Sequence, residues 1–302
     1  MKHLFGPVNS RRLGISLGID LLPYKTCSLD CIYCECGATT LLTNERREYV
    51  NTEEVIKELT EYLSRKPKLD YITFSGSGEP TLHSGIGKII SFLKNNYPDY
   101  RICVLTNSTL LHLKEVRKEI ISADVIVPSL DAMTDLSLNK ILRPHKSVTV
   151  DNILSGISAL CSEFSGKVII EYFVIPGIND SDEEIDLLKK YLMTFDSVIV
   201  QLNYLSRPGA EKNVPKATYE QLKLISDRLL PINVQIIDSS LDNFNDMEID
   251  KAIIDKISTY STTEDLSLTF GMRKSDMVKI LKRLEDSGLI ESFDSGRWRR
   301  KA

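Results

Sequence analysis

The chain has 302 residues, 42% hydrophobic and 26% charged, which leaves room for one domain above ~200 residues plus a small one and excludes wholesale disorder. A net charge of −4 argues against a uniformly basic nucleic-acid binder, and no apolar run approaches the ~18 residues needed to span a bilayer. Gly6, Pro7 and Asn9 interrupt any signal-peptide core, and six cysteines in so long a chain form no dense disulfide framework, so the expectation is a cytosolic protein without a membrane partner.

Ile15, Leu17, Ile19 and Leu21 alternate with other residues as one face of a first strand would. Cys27, Cys31 and Cys34 follow in the spacing C-x3-C-x2-C. Asn51 to Ser64 predicts a helix, with Asn51 and Glu54 as a capping-box pair and Val55, Ile56, Leu59, Tyr62 and Leu63 as its apolar stripe. A strand over 69–74 runs into Ser75-Gly-Ser-Gly-Glu-Pro80, and Ile86, Ile89, Ile90 and Leu93 mark the next helix. Strand 101–106 ends at Asn107, helix 112–121 follows, and strand 124–130 ends at Asp131. Ile153, Leu154, Ile157 and Leu160 form another stripe before strand 168–175, whose exit is the turn cluster Pro176-Gly-Ile-Asn-Asp180. Helix 182–193, strand 197–204, helix 218–229 and strand 232–237 complete the series.

Six strand–helix units with a seventh strand predict an α/β fold with a parallel sheet and right-handed crossovers. A full barrel needs eight units and about 250 residues, so an incomplete barrel or an open sheet fits better. In either, ligands gather at the carboxyl ends of the strands, where the cysteine loop and the glycine turn lie.

Composition shifts after the polar, turn-prone Leu241-Asp-Asn-Phe-Asn-Asp246. Helices are expected over 248–260, 263–268 and 275–286, with a turn at Gly271, a strand over 289–293 and a hairpin-type turn at Asp294-Ser-Gly296 before Arg297-Trp-Arg-Arg-Lys301. Residues 273–302 carry nine Lys/Arg and five Asp/Glu, a local positive excess in an acidic chain. The run Met277 to Ile290 resembles the recognition helix and first wing strand of a winged helix-turn-helix, giving domains at 1–240 and 247–302.

Three thiolates on a compact loop are soft ligands for zinc, copper(I) or an iron–sulfur cluster. A cubane has four irons, so three cysteines leave one open to a ligand, whereas Cys36 could instead complete a zinc site. Glycines at a strand end let backbone approach a ligand closely, and Pro80 stiffens the exit. The C-x3-C-x2-C loop after the first strand, paired with a Gly-Ser-Gly-Glu-Pro turn after the second, resembles the radical S-adenosylmethionine (radical SAM) superfamily.

That resemblance implies a partial (β/α)6 TIM-type barrel followed here by the small winged-helix-like domain. It implies that Cys27, Cys31 and Cys34 hold a 4Fe-4S cluster whose open iron chelates S-adenosylmethionine, with an external electron donor such as flavodoxin or ferredoxin. Gly76, Gly78 and Glu79 match the turn that holds the methionine amino group, and Tyr33 matches the aromatic position beside the adenine. Asn107, Ser129 and Asp131, at the ends of strands three and four, are either cofactor contacts or ordinary caps. Ile175, Gly177 and Asn179 resemble the adenine-binding turn after strand five, and Asn203 is a weaker candidate. His83 and His145 are pocket candidates, Arg143 and Arg207 are anion-binding or surface-pairing arginines, and Cys103 and Cys161 are packing residues.

Phe5 to Gly14, Asp20 to Cys31 and Gln201 to Gly209 look like a branch of small radical SAM proteins grouped distantly with wyosine-type tRNA-modifying enzymes. Tricyclic-wyosine synthases carry further cysteines upstream, and no cysteine precedes Cys27 here, so either a second cluster is absent or the reaction differs. The expected activity is hydrogen abstraction from a macromolecule by a 5′-deoxyadenosyl radical. The leading substrate is tRNA, because arginines at 297, 299 and 300 flank Trp298 and an aromatic can stack on a splayed base. In the other reading, Trp298 fills the small domain's core. The alternatives are a protein or peptide substrate, as in glycyl-radical activation or peptide maturation, and a metal-sensing DNA-binding regulator.

Overall fold

The computed structural model describes residues 1–10, 12–237, 250–251, 253–257, 261–270, 274–293 and 297–301. The expected linker at 241–246 and the turns at Gly271 and 294–296 lie outside the described residues, as does part of the helix expected over 248–260.

An eight-stranded sheet runs in the order β1 (Leu4–Ser10), β2 (Gly14–Ile19), β5 (Tyr71–Phe74), β6 (Arg101–Thr106), β7 (Val125–Pro128), β8 (Lys167–Val174), β9 (Ile199–Tyr204), β10 (Asn233–Ile236). Its seven strands from β2 onward are parallel, and β1 pairs antiparallel with β2. The crossovers carry α1 (Thr52–Leu63), α2 (Ile86–Asn96), α3 (Lys114–Ile120), α5 (Val150–Glu163), α6 (Asp182–Leu192) and α7 (Tyr219–Arg228); a one-turn α4 (Asp135–Ser137) precedes α5. Six units and a seventh strand are therefore present, in an α/β sheet of partial-barrel type. Strand β1 is an addition that strand–helix alternation gave no reason to expect.

The helices start where capping chemistry puts them. Side chains of Asn51, Thr149, Ser181 and Thr218 each accept backbone N–H groups of the first turn. The reciprocal capping box lies at Thr218 and Gln221, not at Asn51 and Glu54, because the Glu54 carboxylate turns instead to Lys2.

Strand period two divides the sheet's side chains between two cores. One face, including Leu17, Ile19, Ile72, Ile102, Ile126, Ile170, Val200 and Leu202, packs against the helix stripes. The other forms a small apolar layer of Leu13, Cys103, Val125, Val127 and Ile169. Ile15 departs from the expected first-strand face: it is 38% exposed, while Leu17, Ile19 and Leu21 are buried.

The C-terminal residues form a separate core. Strand β11 (Ser261–Thr262), α8 (Thr263–Phe270), α9 (Lys274–Asp286), β12 (Ile290–Phe293) and β13 (Arg297–Arg300) build a three-stranded antiparallel sheet against helices. Ile253, Ile257, Leu266, Met277, Leu281, Leu284, Ile290 and Trp298 are its interior. Trp298 is 6% exposed, and its Nε1 donates to Thr263 Oγ1 at 2.9 Å, so its indole is core and not a stacking platform.

Candidate active site

The cysteine loop leaves β2 and is pinched at its base, where β3 (Thr26–Cys27) pairs in parallel with β4 (Leu41–Leu42). Neighbouring loops hold its backbone. Asp30 N donates to Leu142 O at 2.9 Å, Ile32 N to Ile141 O at 2.9 Å and His145 N to Ser28 O at 2.8 Å. From the loop after β9, Glu211 N donates to Ile32 O at 3.0 Å. Such ties fix a loop that has almost no regular structure of its own.

The glycine turn follows β5 and docks on that loop. Gly76 has φ +138°, and a Cβ there would meet the Asp20 carboxylate at 2.4 Å; at Gly78 a Cβ would meet Thr26 O at 1.7 Å. Only glycine allows this approach, which lets Glu79 N donate to Thr26 O at 3.3 Å. Asp20 secures the turn from below by accepting Ser77 N at 3.1 Å and the Ser77 hydroxyl. The Glu79 carboxylate is buried and accepts Thr81 N, the hydroxyls of Thr81 and Thr106, and Asn107 N at 2.6 Å. Burial raises its pKa against those hydrogen bonds, which favour the anion. Asn107 in turn donates from Nδ2 to Ser28 Oγ at 2.9 Å and to Cys27 Sγ at 3.4 Å.

The sulfurs sit in one electrostatic neighbourhood. Burial raises the Cys27 thiol to about 11 with help from the Glu79 charge, and burial beside Cys27 and Cys34 holds the Cys31 thiol well above its ordinary value. Cys34 goes the other way, to about 5, because the Cys36 thiol donates to it and the Lys25 ammonium lies alongside. Cys36 also reaches Gly76 O at 3.5 Å, which places it between the cysteine loop and the glycine turn. Burial alone would depress Lys25, but the charges of Cys34, Cys27 and Cys31 leave its pKa raised.

A second group lies along the ends of β7 and β8. Tyr33 stacks on Phe173 with ring centroids 3.9 Å apart and donates its hydroxyl to Asp131 Oδ2. Asp131 Oδ1 accepts Phe173 N at 2.7 Å, and burial pushes this carboxyl up to about 6. Asn179 is fully buried; it accepts Ile175 N at 2.7 Å and donates to the carbonyls of Asp131 and Phe173. Ile175 is buried, Gly177 has φ +78° with open space where a Cβ would stand, and Ser129 is half-buried with its backbone bridged to Glu171.

The remaining candidates fall outside this cluster. The His83 ring is held between Val50 O and Gly85 N, Arg143 pairs with Glu211, and Arg207 pairs with Glu35 at 3.7 Å. Asn203 donates to Glu171, which also pairs with Arg12 from the β1–β2 connection. Sequence reasoning passed over Asp20, Lys25, Ser28, Thr106, Phe173 and the Arg12–Glu171 pair. The lysine within the cysteine loop was the one available signal.

The donor set fits an iron–sulfur cluster. Three soft sulfurs come from one loop, an amide N–H points at one of them, and a buried ammonium faces all three. Among the described residues, no group of three or more Cys, His, Asp or Glu side chains is arranged to hold a metal ion. No described helix is long and apolar enough to cross a membrane.

Comparison with known proteins shows the family of the chain. A family model for the radical SAM superfamily matches residues 21–189. A protein named GTPase Obg from Brachyspira hyodysenteriae is 33% identical over 96% of this chain, which spans only 43% of that protein. A UPF0026 protein from Methanocaldococcus jannaschii is 35% identical over 74% of this chain and 70% of its own length. The dual-specificity RNA methyltransferase RlmN from Caulobacter vibrioides is 27% identical over 61% of this chain and 48% of its own. Among solved structures, a radical SAM methyltransferase from Sphaerobacter thermophilus shares the fold, with a TM-score of 0.58, 17% identity and coverage of 73% of this chain and 66% of that one.

Proposed function

The chain belongs to the radical SAM superfamily, and on that premise we propose that its site holds a 4Fe-4S cluster on Cys27, Cys31 and Cys34 and S-adenosylmethionine beside it. The observation that carries this reading is the docking of the glycine turn on the cysteine loop through Glu79 N and Thr26 O, which joins the two motifs into one site. When bound, the cluster and cosubstrate supply reductive cleavage of S-adenosylmethionine and a 5′-deoxyadenosyl radical for hydrogen abstraction.

The chain's own residues do the positioning. Gly76 and Gly78 present backbone to the methionine end, and Glu79 holds that backbone in place through Thr81, Thr106 and Asn107. Asn107 steadies Cys27 by its N–H···S contact. Tyr33, Ser129, Asp131, Ile175 and Gly177 line the nucleoside end; there Asp131 acts through Tyr33 and the β8 backbone, since its oxygens are already engaged. The electron comes from an external donor of the flavodoxin or ferredoxin class. A reducing cytoplasm suits six cysteines that are all free.

The substrate is a macromolecule, presented by a winged-helix-like domain over 247–302 that follows the barrel domain over 1–240. RNA, with tRNA first, is supported by the RlmN relative and by the basic excess near the C-terminus. A protein or peptide is the second reading. It is favoured by the ion pairs Arg283–Asp250, Arg299–Glu291 and Arg300–Asp255, which occupy cations that would otherwise meet phosphate. Anaerobic reconstitution with iron and sulfide, then reduction with S-adenosylmethionine and RNA or protein fractions, tests the proposal. The expected product is 5′-deoxyadenosine, carrying deuterium from the labelled fraction that contains the substrate. No 5′-deoxyadenosine from cluster-loaded protein would overturn it. RNA binding that does not weaken as salt rises would remove the RNA reading.

A further inference from the structure

Lys25 is a buried cation that no carboxylate answers among the described residues. It lies two residues before Cys27 and is 2% exposed. Its ammonium donates to Thr39 Oγ1 at 3.3 Å, and among the described residues no carboxylate lies within ion-pair distance of it. Burying a charge is costly unless an opposite charge accompanies it. The groups that face this ammonium are the sulfurs of Cys34, Cys27 and Cys31.

A cubane held by three thiolates is anionic in its oxidised form and one charge more negative when reduced. We propose that Lys25 is the charge-compensating group of this cluster, a positioning residue that ligates no iron and favours the reduced state. The inference rests on the cluster reading above. Its electron balance is simple: the cluster takes one electron from an external low-potential reductant, with no proton transferred and no bond broken at Lys25. A fixed cation nearby attracts the reduced form more strongly than the oxidised form. Net charge around a cluster is one of the determinants of its potential.

The test compares wild type, Lys25→Met, Lys25→Gln and Lys25→Arg, each full-length and reconstituted anaerobically to equal iron and sulfide per chain. Each is titrated with dithionite and mediators while the reduced cluster is followed by electron paramagnetic resonance, without S-adenosylmethionine or substrate. At a fixed potential, the two neutral variants should show a reduced-to-oxidised ratio at least tenfold below wild type, about 59 mV for a one-electron couple. Lys25→Arg should stay within about threefold, or ~28 mV on that scale. Equal midpoints in all four proteins would overturn the inference. Should the neutral variants load no iron, Lys25→Arg is still expected to load as wild type does; failure of all three would mark a packing role and overturn it. If wild type itself takes up no cluster, the reading of the site fails and this inference falls with it.

Discussion

Around the cysteine loop, Lys25, Glu79 and Asp131 are 2%, 2% and 3% exposed, whereas the arginines at 283, 299 and 300 leave their side chains 36%, 42% and 48% exposed. The first three lie among strand ends, where taking a charge from water is costly and each needs fixed partners. The arginines pair with acids at the surface, where such pairs contribute little. Charge density along the sequence looked more suggestive in the C-terminal segment, with nine cations in thirty residues, than around Cys27. The more informative quantity is desolvated charge, because a buried charge needs fixed partners, and such groups cluster at functional sites more than surface charges do.

Replacing Cys31 with Ala should break the site half of this comparison most severely. Iron per chain should fall from about four to near zero after reconstitution, and 5′-deoxyadenosine should become undetectable. Trp298→Ala should cost the C-terminal core about 3–5 kcal/mol, measured as loss of its urea transition, while iron loading in the barrel stays at wild type. Loss of loading in that variant would show that the two regions are not independent.

Asp131 sharpens the comparison through pH. Its carboxyl keeps its proton up to about 6 in the folded chain, against an ordinary value of 3.8. Folding therefore takes up a proton between those values, and stability falls as pH rises through that window, by an amount on the order of 3 kcal/mol. Urea midpoints of cluster-free wild type should decline from pH 4 to 7 relative to Asp131→Asn, in which this contribution is absent.

Glu79→Gln places an amide N–H among donors that pointed at a carboxylate, and should cost about 1–3 kcal/mol with weakened S-adenosylmethionine binding by calorimetry. The smallest effect belongs to the surface: Arg299→Gln should change stability by less than about 1 kcal/mol and leave cluster loading untouched.

The fold was largely legible before the structure. Strand 101–106 coincides with β6, and helix 182–193 with α6 to within a residue, because parallel strands buried on both faces and striped helices leave strong periodic signals. The antiparallel β1 was not legible, since a register shift between Phe5 and Val8 breaks its alternation. Within the site, the cysteines and the glycine turn could be singled out by residue type and spacing. Asp20, Thr106 and Phe173 could not, because an aspartate, a threonine and a phenylalanine at strand ends look the same whether or not they hold a loop. Trp298 was open between a binding surface and the small domain's core, and the hairpin register decided for the core by turning it inward against Thr263.

The sequence by itself determined the strand–helix order, the three-sulfur loop and the glycines at the second strand's exit, all of which are local patterns read within a few residues. Only the tertiary structure decided which charges lose their water. It set Lys25 against three sulfurs, closed Asp131 over Tyr33 and left the C-terminal arginines in solvent beside acids. Desolvation depends on everything packed around a group, and those neighbours come from loops more than a hundred residues apart: the backbone of the Cys27 loop is tied to residues 141, 142 and 211. No spacing rule along the chain encodes that environment.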